Sequence, residues 1–283
     1  MKKNEKQLAQ VFEQTVEEIL YGCYDMNPKL ANFDEDNIQM VYNSEYITSI
    51  GKQKKERLFD KPAKITVENK DSFQKAQEMG EDCLVLDMAN DRVAGGNPEK
   101  GAKAQEEELC RRSTLSLGLY QFSPKKFHTY FTNETIAPLG SYPLSLFGAI
   151  YVPGVTVYKE KDTYAIMKNP FKCAVIAIGA IRLPILKKGR LNNLDVSITK
   201  GKIRTILRVA IKHNHTKLVL GAFGCGAFGN PPRQMAELFK KVLAEKEFYG
   251  FFSEICFAII EDDNSTKCNK EGNYKPFKEV FGC

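Results

Sequence analysis

No stretch of this chain approaches ~18 uninterrupted apolar residues, and the opening residues, Met1 to Gln7, are charged and polar with no apolar run behind them. The expectation is a protein with neither a transmembrane segment nor a secretory leader, working in the cytoplasm without a membrane partner. The eight cysteines, Cys23, Cys83, Cys110, Cys173, Cys225, Cys256, Cys268 and Cys283, include no C-x-x-C pair, so reduced thiols are expected rather than a disulfide framework. Histidine is scarce. With only His128, His213 and His215, the usual metal-ligand clusters cannot be built in quantity, and no metal is expected. There is no internal repeat and no long low-complexity tract, which excludes solenoids and disordered chains.

What is present is an ordinary globular composition: 283 residues, 43% hydrophobic and 27% charged, enough for one large α/β domain or two small ones. The formal charge of +6 and a pI near 8.7 favour polyanionic partners through long-range attraction, although a lysine-rich solvated surface gives the same numbers. Basic clusters at Lys52, Lys54, Lys55 and Arg57, and at Lys187, Lys188 and Arg190, are open to both readings.

Periodicity predicts an amphipathic helix over 5–20, with Leu8, Val11, Phe12, Val16, Ile19 and Leu20 on one face, and then a polar surface connection over 27–62. From Lys64 the pattern becomes strand (Ile65 to Val67), helix (71–79) and buried strand (Cys83 to Leu86), the signature of a parallel α/β unit. A loop follows from Asp87 to Asn97, then a helix from about Ala104 to Leu117. A strand is expected over 148–158, a turn region over Lys159 to Asn169, and a central strand over Cys173 to Ile178. A helix over 199–214 precedes the strand Lys217 to Leu220, and a glycine loop from Gly221 to Pro232 leads into a helix over 232–246. The chain closes with a strand over Ile255 to Ile260 and a helix near 275–281. Two strand–loop–helix units in one sheet place both loops at the same carboxyl edge, where ligands of such sheets bind. His213 and His215 fall where a solvated helix end is expected.

The second loop packs four glycines between Gly221 and Gly229, exposing backbone N–H groups ahead of a helix N-terminus, an anion cradle. Gly224 to Gly229 also spells G-x-G-x-x-G, but no acid closes a second strand at the ~20-residue distance a dinucleotide site requires. A P-loop is excluded because Asn230 stands where its lysine belongs. Cys225, between glycines and with no histidine near in sequence, reads as a small residue fitting a crowded loop rather than a nucleophile. In the first loop, Gly95-Gly96 precedes Gln105-Glu106-Glu107-Glu108 at a helix start, where acids are favoured by the helix dipole. A partly desolvated carboxyl there, beside a second one, would also have its pKa raised and could serve as a general acid.

The segment from Val85 to Ser113, VLDMANDRVAGGNPEKGAKAQEEELCRRS, resembles the signature of the bacterial-type poly(ADP-ribose) glycohydrolases. The likeness extends through Ala149 to Val155 and Leu218 to Asn230, covering most of the chain from about residue 60 onward. The resemblance implies a macrodomain-like α/β fold, a mixed sheet sandwiched between helices, with residues 1–62 as an N-terminal helical accessory segment and 63–283 as the catalytic domain, together one compact unit. It implies hydrolysis of ribose–ribose bonds without metal or other cofactor, on poly(ADP-ribose) or ADP-ribosylated macromolecules, with ADP-ribose as product ligand. A monomer is expected. Glu107 matches the catalytic glutamate, Glu106 its neighbour that positions ribose hydroxyls, and Gln105 a support for the loop. Gly95, Gly96 and Asn97 match the triplet near the distal ribose and diphosphate. Gly224, Cys225, Gly226, Ala227, Phe228 and Gly229 match the diphosphate loop, with Phe228 packing on the ribose. Asp87 and Asn90, at the strand end, are further candidates for ligand contact.

One position departs from the pattern: Asn97 takes the third glycine's place, or, counted one residue earlier, Ala94 takes the first. A Cβ where backbone approaches substrate bears on catalysis more than on binding. The competing readings are a reader that binds ADP-ribose without cutting it and a mono-ADP-ribosyl hydrolase, which differs only in the leaving group. The presence of both Glu106 and Glu107 favours catalysis, because binding alone does not need the second acid.

Overall fold

A computed structural model describes residues 3–21, 40–42, 55–80, 82–131, 142–262, 266 and 269–282. Most of the polar connection expected over 27–62 lies outside the described residues, as do Lys52, Lys54, Cys23, Cys268 and Cys283. In chain order the elements are α1 (Glu5–Tyr21), β1 (Met40–Tyr42), β2 (Lys64–Glu68), α2 (Ser72–Met79), β3 (Cys83–Met88), α3 (Gln105–Arg112), α4 (Leu115–Tyr120) and α5 (Pro124–Tyr130). They continue with β4 (Ala149–Lys159), β5 (Ile166–Ile178), α6 (Asn193–Lys212), β6 (Lys217–Leu220), α7 (Pro232–Leu243), β7 (Glu254–Ala258) and α8 (Tyr274–Phe281).

The strands form one mixed sheet in the order β1-β4-β5-β3-β6-β7-β2. From β5 to β2 every neighbouring pair is parallel, and β4 and β1 add antiparallel pairs at one edge. Near-continuous apolar runs such as Cys83 to Leu86 suit strands covered on both faces. Alternation sorts them into two cores. Leu84, Leu86, Ile176, Leu218 and Phe257 face α6, α7 and α8, while Cys83, Val85, Val175, Val219 and Cys256 face α1 to α5. The result is a sheet sandwiched between helices, the macrodomain-like arrangement the sequence implied. Helix α1 belongs to the second core: Phe12 is fully buried there, and Thr15 donates through Oγ1 to the carbonyl of Arg111 at 2.8 Å.

Several boundaries differ from the sequence reading. The helix expected over 104–117 breaks at Ser113, which is extended (φ −153°, ψ 176°) and bridges Val157 of β4; its hydroxyl bonds the Leu109 carbonyl and accepts from the Leu115 N–H, closing α3 and starting α4. Strand β5 starts at Ile166, well before Cys173, because its outer half pairs with β4 as a hairpin whose turn is confined to 160–165. Helix α6 starts at Asn193, where the Asn192 side chain caps the Asp195 N–H at 2.9 Å.

The histidines do not form a solvated helix end. The His213 ring stacks on Tyr151 with centroids 3.9 Å apart, and the Tyr151 hydroxyl meets His215 Nε2 at 2.7 Å, so an aromatic of β4 draws both inward. Burial, then the charges of His215 and neighbouring lysines, lowers the His213 pKa to about 4. The five described cysteines, Cys83, Cys110, Cys173, Cys225 and Cys256, are free and buried. No helix among the described residues is long and apolar enough to cross a membrane.

Candidate active site

Strands β3 and β6 are parallel neighbours, with Val85 beside Val219, yet the helices that follow them cover opposite faces: α3 packs in the core with Val85, α7 in the core with Leu84. Loops leaving adjacent strands toward opposite faces part from each other, and the crevice between them is the usual ligand site of an open α/β sheet. Both glycine-bearing loops open into it.

The first side of the crevice is built on β3. Gln105, at the start of α3, clips the helix to the strand end: its Oε1 accepts from the Met88 N–H at 2.9 Å and its Nε2 donates to the Leu86 carbonyl at 2.7 Å. Two buried arginines hold the other end. Arg112 pairs with Asp71 at 2.9 Å, and Arg111 donates to the Ala102 carbonyl at 2.8 Å. Asp71 in turn caps α2 through the Phe73 and Gln74 N–H groups. So anchored, α3 points Glu106 and Glu107 back at the loop. Glu106 Oε2 accepts the Asn90 N–H at 2.8 Å, and Glu107 Oε1 accepts the Asn97 N–H at 3.1 Å. The second oxygen of each, buried, has no partner among the described residues.

Gly95 and Gly96 take left-handed φ angles of +67° and +65°. At Gly96 a Cβ would stand 2.2 Å from Glu107 Oε1, so the absence of a side chain is what admits the carboxylate under the loop. Asn97, by contrast, has φ −129°, open to any L-residue. This position needs no left-handed backbone, and its N–H holds Glu107.

Asp87 is fully buried beneath the two glutamates, on the same face of the sheet as Val85, and neither of its oxygens has a partner among the described residues. Burial first, then the charge of Glu107, drives its carboxyl well above the ordinary range; burial first, then the charge of Asp87, does the same to Glu106. Two carboxyls so enclosed and so close do not readily ionise together, and the Asp87–Glu106 pair retains a proton above the ordinary carboxylate range. The position expected of Asp87 at the strand end is right, but a fully enclosed carboxyl meets its neighbouring acids rather than open cleft.

The second side is the loop after β6. Turns within it use the N–H groups of Phe223, Cys225, Gly229 and Asn230, whereas those of Gly224, Gly226, Ala227 and Phe228 meet no acceptor among the described residues. Free amides at a strand end ahead of a helix are what an anion cradle requires. Asn230 is buried and stitches the loop to its neighbour, donating to the carbonyls of Ile181 and Gly224 at 2.7 and 3.1 Å. Cys225 is buried and its thiol raised by desolvation, the state of a packing residue, not a nucleophile.

Three participants escaped the sequence reading. Lys126 of α5 donates to the Gly96 carbonyl at 2.6 Å and lies over the Tyr120 ring, bracing the triplet loop from outside. The Tyr142 hydroxyl is buried without a partner among the described residues, and its pKa is pushed up by burial and then by the charges of Glu106 and Asp87. Arg182 follows β5 and spans the two loops, donating to Asn90 Oδ1 at 2.9 Å with its guanidinium carbon 4.3 Å from the Phe228 ring centre. A cation just past a central strand was the one available signal. The other two lie in segments with no motif.

The architecture matches solved bacterial enzymes. The poly(ADP-ribose) glycohydrolase of Thermomonospora curvata superposes with a TM-score of 0.76 at 24% identity, over 97% of this chain and 99% of that one. The same enzyme bound to the inhibitor ADP-HPD gives 0.74 at 24% identity, over 96% of this chain and 98% of that one. The Deinococcus radiodurans enzyme in complex with ADP-ribose gives 0.67 at 23% identity, over 86% of this chain and 94% of that one. No curated protein sequence matches the chain. The family model for the microbial-type PARG catalytic domain matches residues 12–160, from within α1 to just past β4 and including the whole Gln105–Glu107 element. With more than half of its length matched to that model, the chain belongs to the microbial-type poly(ADP-ribose) glycohydrolase catalytic-domain family, a family of glycoside-cleaving hydrolases.

Proposed function

We propose that this protein hydrolyses the ribose–ribose O-glycosidic bonds of poly(ADP-ribose), releasing ADP-ribose, with Glu107 as general acid and then general base. The observation that carries the proposal is the Glu107 carboxyl itself: one oxygen fastened to the triplet loop by the Asn97 N–H, the other unpartnered, beside a second acid. As the proposed acid, Glu107 acts from its protonated form. Its proton passes to the departing 2′-oxygen of the adjoining unit as the bond to the anomeric carbon breaks. The sugar becomes oxocarbenium-like. The Glu107 carboxylate then takes a proton from water, whose oxygen bonds to the anomeric carbon, and the acid form is restored. One carboxyl thus serves both halves of the reaction, unlike the carboxyl pairs of most glycosidases. Glu106 offers its free oxygen to ribose hydroxyls, Phe228 packs against the ribose, and the amides of Gly224 to Phe228 hold the diphosphate, whose charge opposes the developing cation.

The test is release of free ADP-ribose from purified polymer by wild-type protein and Glu107→Gln, alongside calorimetric binding of ADP-ribose. Release by wild type only, with binding kept in both, supports the assignment. Full turnover by Glu107→Gln would remove Glu107 from the role. Binding without release would mark the protein as a reader or a hydrolase of another linkage, and no binding would end the reading altogether.

A further inference from the structure

Asp87, Glu106, Glu107 and Asp91 crowd acidic groups around the crevice, and the loop from Gly221 to Asn230 carries no lysine or arginine. A diphosphate entering there brings two more negative charges to a cradle made only of backbone dipoles. A side-chain cation beside the cradle would offset part of that charge. Arg182 is placed to do so: it leaves the carboxyl end of β5, next to β3 in the sheet, and its guanidinium lies between the loops. One nitrogen, Nη2, holds Asn90 Oδ1 at 2.9 Å and Asp91 Oδ1 at 3.2 Å, while the face of the group rests on Phe228. The Nε atom is buried and meets no acceptor among the described residues. A satisfied surface arginine would not bury an unused donor beside four unused backbone amides.

We propose that Arg182 is a substrate-contacting residue that clamps the diphosphate of ADP-ribose against the amides of Gly224 to Phe228. The planar fork suits two phosphate oxygens, and stacking on Phe228 fixes its plane without using its donors. The proposal rests on the reading of that loop as a diphosphate cradle.

An alternative role is separable by experiment. Through Asn90, whose N–H holds Glu106, Arg182 could act only as a brace for the acids. A brace changes kcat and leaves ADP-ribose affinity alone, whereas a clamp changes affinity. The experiment measures ADP-ribose binding by calorimetry, polymer hydrolysis and melting temperature for wild type, Arg182→Gln and Arg182→Lys. Glutamine keeps a donor for Asn90 but loses the charge; lysine keeps charge without the fork. Expected are a dissociation constant raised roughly 10- to 100-fold in Arg182→Gln, as for a lost bond to a charged group, partial recovery in Arg182→Lys, a parallel rise in KM, and an unchanged melting temperature. Affinity in Arg182→Gln within about twofold of wild type, with or without a fall in kcat, would overturn the clamp. So would equal loss of affinity and melting temperature in both variants. Wild type failing to bind ADP-ribose would instead overturn the functional reading beneath it.

Discussion

Single atoms decide the character of this site. Adding a Cβ at Gly96 strains a left-handed backbone and displaces Glu107 together, so Gly96→Ala should lower kcat on the order of 100-fold, the usual consequence of misplacing a reacting group by ~1 Å. Steady-state hydrolysis of the polymer checks this. Gly226 is the converse: its φ is ordinary and a Cβ there would meet nothing within 4 Å, so the fold has no need of a glycine. The need lies with whatever sits on the loop. Gly226→Ala should keep its melting temperature, or gain from ~0.4 to 1 kcal/mol of stability through a less flexible unfolded chain, while binding ADP-ribose more weakly by calorimetry. Asp87 and Glu106 have raised folded-state pKa values. For such acids the folded state holds more protons than the unfolded one, so their contribution to stability is whole below the unfolded values, near 3.8 and 4.5, and is lost as pH rises toward the folded ones. Asp87→Asn should therefore flatten the decline in stability from pH 4 upward, read from urea midpoints across that range.

Among the elements, α3 carries the two glutamates to which the proposed chemistry is assigned, and its position depends on interactions far from the crevice. The buried Arg112–Asp71 pair ties it to α2. Arg112→Ala leaves the Asp71 carboxylate buried without its cation, and should destabilise the protein by about 3–5 kcal/mol in denaturant titration. How much was legible in the sequence also divides by element. The apolar runs of β3, β5, β6 and β7 declared themselves because strands covered on both faces need no alternation, and Gln105, Glu106 and Glu107 were marked by their order after the glycines. The break at Ser113 was hidden because it depends on a bridge to Val157, a partner no local window contains. Helix α5 is only seven residues long, too short for a helical period to stand out even behind the Ser123-Pro124 start, so Lys126 went unseen with it. That the backbone at Asn97 does not require a glycine became legible only with its φ. The link from Arg182 to Asn90 and Phe228 joins three strand ends, which became neighbours only once the sheet order was settled.

Across the whole molecule, the excess of positive charge and the acid-rich crevice act at different ranges. Attraction of a polyanion to a +6 surface is long-range and screened by salt, whereas the contacts inside the crevice are short and sheltered. Polymer hydrolysis at low substrate should therefore fall more steeply than ADP-ribose binding as sodium chloride is raised from about 50 to 500 mM, a range that shortens the screening length severalfold. Equal salt slopes in the two assays would show that the surface charge does not guide substrate.

The pairing of Val85 with Val219 has a kinetic counterpart. The hairpin of β4 and β5 can zip locally, but β3 and β6 must find each other across more than a hundred intervening residues, among the slowest events a chain of this kind performs. Until that ladder closes, each half of the crevice is a loop on its own strand and neither can grip a nucleotide. In a refolding experiment helical signal should return first and ADP-ribose capture last, so the nascent protein passes through its most sticky, half-formed stages with its acidic side still apart from its glycine cradle.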